Sequence, residues 1–245
     1  MKERRFFYVP QPETGALPPD EAQHAVRVLR LTMGDELNLM DGNGNFYTAV
    51  ITAADNHHCR YRIEERQPQQ PEWTGSIHLA VAPTKHMERM EWLAEKATEV
   101  GFDRLSLLDC RFSERRVVKT DRLEKIIVAA MKQSHKAWKP QVDEMEPFSS
   151  FIKRTDLPAQ RFIAHCYEEA DVAVPGDAPS AKPFLLDVLQ SGQPALVLVG
   201  PEGDFAIDEV RDAIAAGFQP VSLGTSRLRT ETAALVAVVA LRYAK

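Results

Sequence analysis

The chain has 245 residues, 44% of them hydrophobic, and a formal net charge of −5 with histidine neutral. That apolar content can fill one large domain or two small ones and excludes a disordered chain. No run reaches the roughly 20 apolar residues of a membrane helix, and the start Met1-Lys2-Glu3-Arg4-Arg5-Phe6-Phe7 lacks the apolar core of a signal peptide, so a cytoplasmic protein with no membrane partner is expected.

From the N-terminus, Phe6 to Val9, Glu36 to Met40, Phe46 to Ala53 and Cys59 to Glu64 alternate or are rich in β-formers. Asp41-Gly42-Asn43-Gly44 offers the left-handed positions of a hairpin turn. One helix-like segment, Asp20 to Leu29, interrupts them, and the pattern predicts a small β-barrel over residues 1–70. The run Gln67-Pro68-Gln69-Gln70-Pro71 reads as a linker.

Beyond it, strands and helices alternate. Ser76 to Ala82, Arg104 to Asp109, Arg161 to His165, Ala195 to Val199 and Pro220 to Leu223 are short apolar runs. Met87, Met90, Leu93, Ala97 and Val100 recur at helical spacing, as do Leu123, Ile126, Ile127, Ala130 and Met131. Ala195 to Val199 is apolar throughout, as in a strand covered on both faces, so residues 71–245 are predicted to be an α/β domain around a parallel sheet. Met87, Met90 and Trp92 read as core rather than as a cofactor box. Cys59, Cys110 and Cys166 show neither C-x-x-C nor Cys/His spacing, so no disulfide framework and no metal site is expected.

Overall acidity argues against a nucleic-acid partner, yet between Arg111 and Pro140 there are nine Lys or Arg and three acids. A basic phosphate-binding face and a solvated helix surface both fit that segregation.

Two glycine-bearing loops follow apolar strands: Gly200-Pro201-Glu202-Gly203-Asp204 and Leu223-Gly224-Thr225-Ser226. In an open parallel sheet both would line the crevice at the strands' carboxyl ends, and glycine lets backbone approach a ligand closely. Neither fits the dinucleotide or triphosphate fingerprint, and each alone also fits an ordinary tight turn. Next comes Arg227-Leu228-Arg229-Thr230-Glu231-Thr232, before the apolar helix Ala233 to Leu241. Thr230 or its neighbour would cap that helix and Glu231 would favour its positive end, which leaves the two arginines without a structural task.

Gly200-Pro201-Glu202-Gly203, Leu223-Gly224 and Leu228-Arg229-Thr230-Glu231-Thr232-Ala233, in this order, resemble the small-subunit ribosomal RNA uridine-N3 methyltransferases, in the SPOUT class of trefoil-knotted enzymes. The similarity extends to Arg5-Phe6-Phe7, His24 to Arg30, Lys96 to Gly101, Ser113-Glu114-Arg115, and Gln133-Ser134 with Pro140, so it covers nearly the whole chain. Asp204 stands where the family commonly has a second glycine, Ser226 and Arg227 replace the Arg and Ile of an R-I-L-R stretch, and Lys136 replaces an arginine.

The resemblance implies an N-terminal PUA-like RNA-binding barrel and a C-terminal domain with a deep trefoil knot around its parallel sheet. It further implies a homodimer that acts on 16S ribosomal RNA or the small ribosomal subunit, with S-adenosylmethionine as cofactor. Carried over residue by residue, the cofactor's neighbours are Leu198, Gly200, Glu202, Gly203, Leu223, Gly224, Leu228 and Thr230. Methylating N3 of uracil requires loss of a weakly acidic proton and stabilisation of charge on O2 and O4. Arginine suits that stabilisation, so Arg229 is the first catalytic candidate and Arg227 the second. Glu231 and Glu202 are candidate bases by location, and turn bonding or helix capping would equally account for them. RNA contacts are expected from Arg4, Arg5, Arg27 and Arg30 on the barrel and from Arg111, Arg115, Lys119, Lys132 and Lys136 in the basic stretch. Two other readings remain: the same fold acting on another RNA, at a ribose 2′-hydroxyl or in transfer RNA, and a non-catalytic RNA-binding ribosome-assembly protein.

Overall fold

The computed structural model describes residues 5–172 and 182–244, so Arg4 lies outside the described residues. The chain divides into two compact units, Met1–Glu72 with Val128–Lys139 and Trp73–Ile127 with Pro140–Lys245.

In the first unit, β1 (Phe6–Tyr8), α1 (Pro19–Gln23), β2 (Glu36–Met40), β3 (Asn45–Ala54) and β4 (Cys59–Pro68) build a four-stranded sheet in the order β1-β2-β3-β4. After β1 the chain returns at Ala16 to bridge Arg60 on β4, so one N-terminal segment pairs with both edges. Alternation buries Leu37, Leu39, Ala49, Ile51, Cys59 and Tyr61 against Phe7, Val9, Ala22 and Ala25. The turn between β2 and β3 places Gly42 and Gly44 at φ 75 and 88, as anticipated. Asp41 Oδ1 accepts the N–H groups of Asn43 at 2.7 Å and Asn45 at 3.0 Å, and a Cβ on Gly44 would strike the Trp138 ring.

Two expectations change here. The segment Asp20 to Leu29 is α-helical only as far as Gln23. It then widens into a turn over His24–Val28, where the N–H of Leu29 reaches the carbonyl of His24 at 3.0 Å. The expected linker is half strand: Gln67 and Pro68 pair with Phe46 and Asn45. Proline is tolerated at such a strand end because the ladder needs no donor there.

The second unit carries β5 (Ile77–Val81), α2 (Met87–Val100), β6 (Arg104–Asp109), the start of α3 (Thr120–Ser134), β7 (Gln141–Val142), β8 (Glu146–Pro147) and α4 (Phe148–Phe151). It continues with β9 (Gln160–Ala164), α5 (Glu169–Val172), α6 (Leu185–Val188), β10 (Ala195–Val199), α7 (Ile207–Ala215), β11 (Gln219–Val221) and α8 (Thr230–Tyr243). Its sheet runs β11-β9-β10-β5-β6-β7, with β8 also on β6, and every ladder is parallel. Central β5 and β10 are buried at all five positions, the arrangement their uniform apolarity predicts.

On α2 the buried residues are Met90, Leu93, Ala94, Ala97 and Thr98, whereas Trp92 is 42% exposed. Trp92 is two residues past Met90, on the far side of the helix, so it is not core. Helix α8 buries Ala234, Ala237 and Val238, small enough for close approach to the sheet. It begins at Thr230; Arg229 occupies the N-cap position and no side chain caps it, so the expected cap by Thr230 is absent. Its far end is held by Arg242, whose guanidinium lies 4.8 Å over the Trp73 ring, while Trp73 Nε1 donates to Asp103 Oδ2 at 2.9 Å. Among the described residues no helix is long and apolar enough to cross a membrane.

Near the amino end of β5, buried His78 Nε2 lies 2.8 Å from Ser106 Oγ, and that hydroxyl donates to Asp143 Oδ2. With the hydroxyl proton committed, the imidazole must donate from Nε2. Burial above all, then the Arg104 charge, holds its pKa down at about 4. An unfolded histidine titrates near 6.5, so this contribution to stability is complete above that pH and is lost as pH falls toward about 4, up to about 3 kcal/mol. In urea titrations His78→Gln is expected to flatten the decline between pH 6.5 and 4; an undiminished slope would contradict the assignment.

Candidate functional site

Parallel pairing in the order β11-β9-β10 sends three neighbouring carboxyl ends to one side of the sheet. Loops far apart in sequence therefore meet: 165–168 after β9, 200–206 after β10 and 222–229 after β11. They surround two adjoining cavities of about 360 and about 420 Å³ that share Ala164, Cys166, Val199, Arg227, Leu228 and Ala233. Each falls in the range of about 300–1,000 Å³ typical of small-molecule pockets.

The loop after β10 is braced from within and from its neighbour. Gly200 is needed for closeness: a Cβ there would sit 3.0 Å from Phe205 N and 3.1 Å from the Asp204 carbonyl carbon. Asp204 has φ 68, and its N–H donates to the Pro201 carbonyl at 2.9 Å. Glycine is the default in that left-handed region and aspartate one of few alternatives, which accounts for the departure at this position. Asp204 Oδ1 accepts the Phe205 N–H at 2.8 Å and Oδ2 accepts the Cys166 N–H at 2.7 Å. The Tyr167 hydroxyl adds a bond to the Phe205 carbonyl at 2.8 Å, and the Phe205 side chain is fully buried. Lys182 Nζ donates to the carbonyls of His165, at 3.0 Å, and Tyr167. In the loop after β11, Gly224 takes φ 124 and exchanges hydrogen bonds with Ser222 Oγ.

Of the residues singled out in the sequence, Gly200, Glu202, Arg227, Leu228, Arg229 and Thr230 line the first cavity. Leu223, Gly224, Arg227 and Leu228 line the second. The side chains of Arg227 and Arg229 are exposed and form no hydrogen bond or ion pair among the described residues. Glu202 Oε1 accepts the Lys85 N–H at 2.8 Å, a bond to a loop distant in sequence rather than the local turn bond weighed for it. Leu198 is fully buried in the core; strand alternation turns it away, and Val199 takes the wall position. Gly203 is off both walls and faces Phe112. Glu231 is buried at 8% exposure and also off both walls. Its Oε1 is 3.7 Å from Arg89 Nε, and its Oε2 has no hydrogen-bond partner among the described residues.

Sequence reading missed Arg89, which reaches the first cavity from the opening turn of α2, and Cys166 and Lys182 on the loop side. No motif marks them; only the strand order brings them in. Burial first, then the Asp204 charge, raises the Cys166 pKa, so its thiol stays protonated and is a poor nucleophile. Among the described residues no cluster of three His, Cys, Asp or Glu is placed to hold a metal ion.

The RNA candidates fare unevenly. Arg5, Arg27 and Arg30 are exposed, with Arg27 Nε donating to the Asn56 carbonyl at 3.2 Å. Arg111 and Lys119 are exposed, whereas Arg115 donates to the Lys85 carbonyl at 2.7 Å. Lys132 pairs with Glu21 at 2.7 Å and Lys136 with Glu72 at 2.6 Å, both inside the first unit. The basic stretch is thus shared between two units and partly neutralised.

Residues 71–242 match the family described as RNA methyltransferase domain, and residues 17–64 match the RNA methyltransferase PUA domain. A ribosomal RNA small subunit methyltransferase E of Mycobacterium tuberculosis is 32% identical over 248 residues, covering 96% of this chain and 90% of its own length. A crystal structure from Porphyromonas gingivalis, described as a probable rRNA-methyltransferase, has a TM-score of 0.86 at 44% identity over 96% of this chain and 95% of that one. A structure from Legionella pneumophila in complex with the cofactor SAM has a TM-score of 0.83 at 26% identity over 98% and 97%.

Because backbone surrounds the missing Cβ of Gly200, Gly200→Ala is expected to destabilise by about 1–3 kcal/mol through overpacking. Gly203→Ala, whose methyl would meet only the Phe112 side chain at 3.4 Å, should be tolerated. Equal urea midpoints for the two variants would refute this account of the loop.

Proposed function

The chain belongs to the ribosomal RNA small subunit methyltransferase E family, and from that premise we propose that it methylates N3 of a uridine in 16S ribosomal RNA with S-adenosylmethionine as donor. The observation that carries the reading is the cavity enclosed by three carboxyl-end loops, with Arg227 and Arg229 unpaired on its wall. The donor set fits such a cofactor. Gly200 and Gly224 keep side chains out of the cradle, and Val199, Leu223, Leu228 and Ala233 offer apolar surface for an adenine ring.

When bound, S-adenosylmethionine supplies a methyl group made electrophilic by its sulfonium. The chain's own residues have two tasks: orienting N3 toward that methyl, and holding the charge that spreads onto O2 and O4 as the N3 proton leaves. Fixed alignment is worth about 7–11 kcal/mol by effective-molarity arguments. Arg229, with Arg227 beside it, meets the second task through a permanently charged fork of donors. Glu231 serves here as a support for Arg89, since it is buried against α2 and off the cavity walls.

The first unit acts as the PUA-like RNA-binding module, with exposed Arg5, Arg27 and Arg30 as phosphate contacts. The second unit is a SPOUT domain with a knotted C-terminus. In support, α8, the last element, packs on the early elements α2 and β5. A second copy of the chain completes the enzyme as a homodimer, a reading supported by apolar side chains left exposed at Phe184, Leu186, Val239 and Tyr243.

Arg229→Ala is expected to lower turnover by about 10²–10³, as for loss of one oxyanion donor, while S-adenosylmethionine binding by calorimetry is retained. Turnover like that of the unaltered protein would end the assignment. Nucleoside mass spectrometry of small-subunit rRNA from cells with and without the gene should show N3-methyluridine only with it. A missing 2′-O-methyl nucleoside instead would move the target to ribose.

A further inference from the structure

The walls of the first cavity carry opposite charge. Glu202 and Asp204 stand on the loop after β10, facing Arg227 and Arg229 on the loop before α8 and Arg89 on α2. Glu202 spends one oxygen on the Lys85 N–H. Asp204 is fixed more firmly: each oxygen accepts a backbone N–H, its backbone is left-handed, and no ion pair engages it among the described residues. Its carboxylate is therefore fixed at the wall by backbone donors, with no ion pair holding it among the described residues.

The reaction proposed above changes the charge of its own cofactor. As the S–CH₃ bond breaks, the bonding pair stays on sulfur; N3 forms the new bond to carbon and its proton passes to water. A cationic sulfonium thus becomes a neutral thioether. We propose that Asp204 is a specificity residue for that charge, holding the methyl donor more tightly than the spent thioether and so favouring product release. The proposal rests on the methyltransfer reading and deepens it. Glycine would meet the left-handed φ at this position equally well; what aspartate adds is a carboxylate, which accepts the Phe205 and Cys166 N–H groups and brings a negative group to the wall.

The test is calorimetry on the full chain and on Asp204→Gly and Asp204→Asn with three ligands: S-adenosylmethionine, S-adenosylhomocysteine, and sinefungin, which carries a protonated amine in place of the sulfonium methyl. Both variants should weaken the two cationic ligands by about tenfold and the neutral thioether by less than about twofold. Equal weakening of all three would reduce Asp204 to a loop brace, and unchanged affinities would remove it from recognition; either result overturns the proposal. If the unaltered chain binds none of the three, the methyltransfer reading itself falls.

Discussion

Register across the second sheet is the constraint from which the site follows. Val199 of β10 pairs with Ala164 of β9 and Val81 of β5, and Ala164 pairs in turn with Val221 of β11. These four residues form one row, so the chain leaves β9, β10 and β11 at the same height and the three loops share a rim. A slip of one residue would turn Leu198 toward the cavity and Val199 into the core. Complete burial of β10 makes that slip costly, because each of its five side chains already fills a place on one face or the other.

The architecture was legible where apolar periodicity was strong. The runs at Ala195 to Val199, Ser76 to Ala82 and Arg104 to Asp109 became central strands within a residue or two of their expected ends. Short elements left little trace: α4 has four residues, and α7 mixes Ile207, Val210 and Ala213 with four charges in nine positions. Composition alone misled at Gln67 and Pro68, since cross-strand pairing, which no local window contains, makes them strand. The capping expectation at Thr230 failed because the helix begins one residue sooner than a side-chain cap there requires.

Within the cavity, the glycines were visible because their loops directly follow apolar strands, and the arginines because capping and dipole effects left them without a structural task. Arg89, Cys166 and Lys182 were not, because each owes its place to strand order rather than to neighbours in sequence. Charge counting along the chain was the weakest guide. Lys132 and Lys136, counted with the basic stretch, are matched by Glu21 and Glu72, acids more than 60 residues away. Linear density of like charge says little about which ammonium groups remain open to solvent once the chain has folded.

Trp73 stacks under Arg242 near the end of α8 and donates to Asp103, while Trp138 lies against Gly44 in the other unit. The indoles thus make a pair of built-in optical probes. With Trp92 and one of them replaced, the emission of the other would follow the loosening of a single half of the molecule, and a thermal melt could be resolved into its parts without any attached dye.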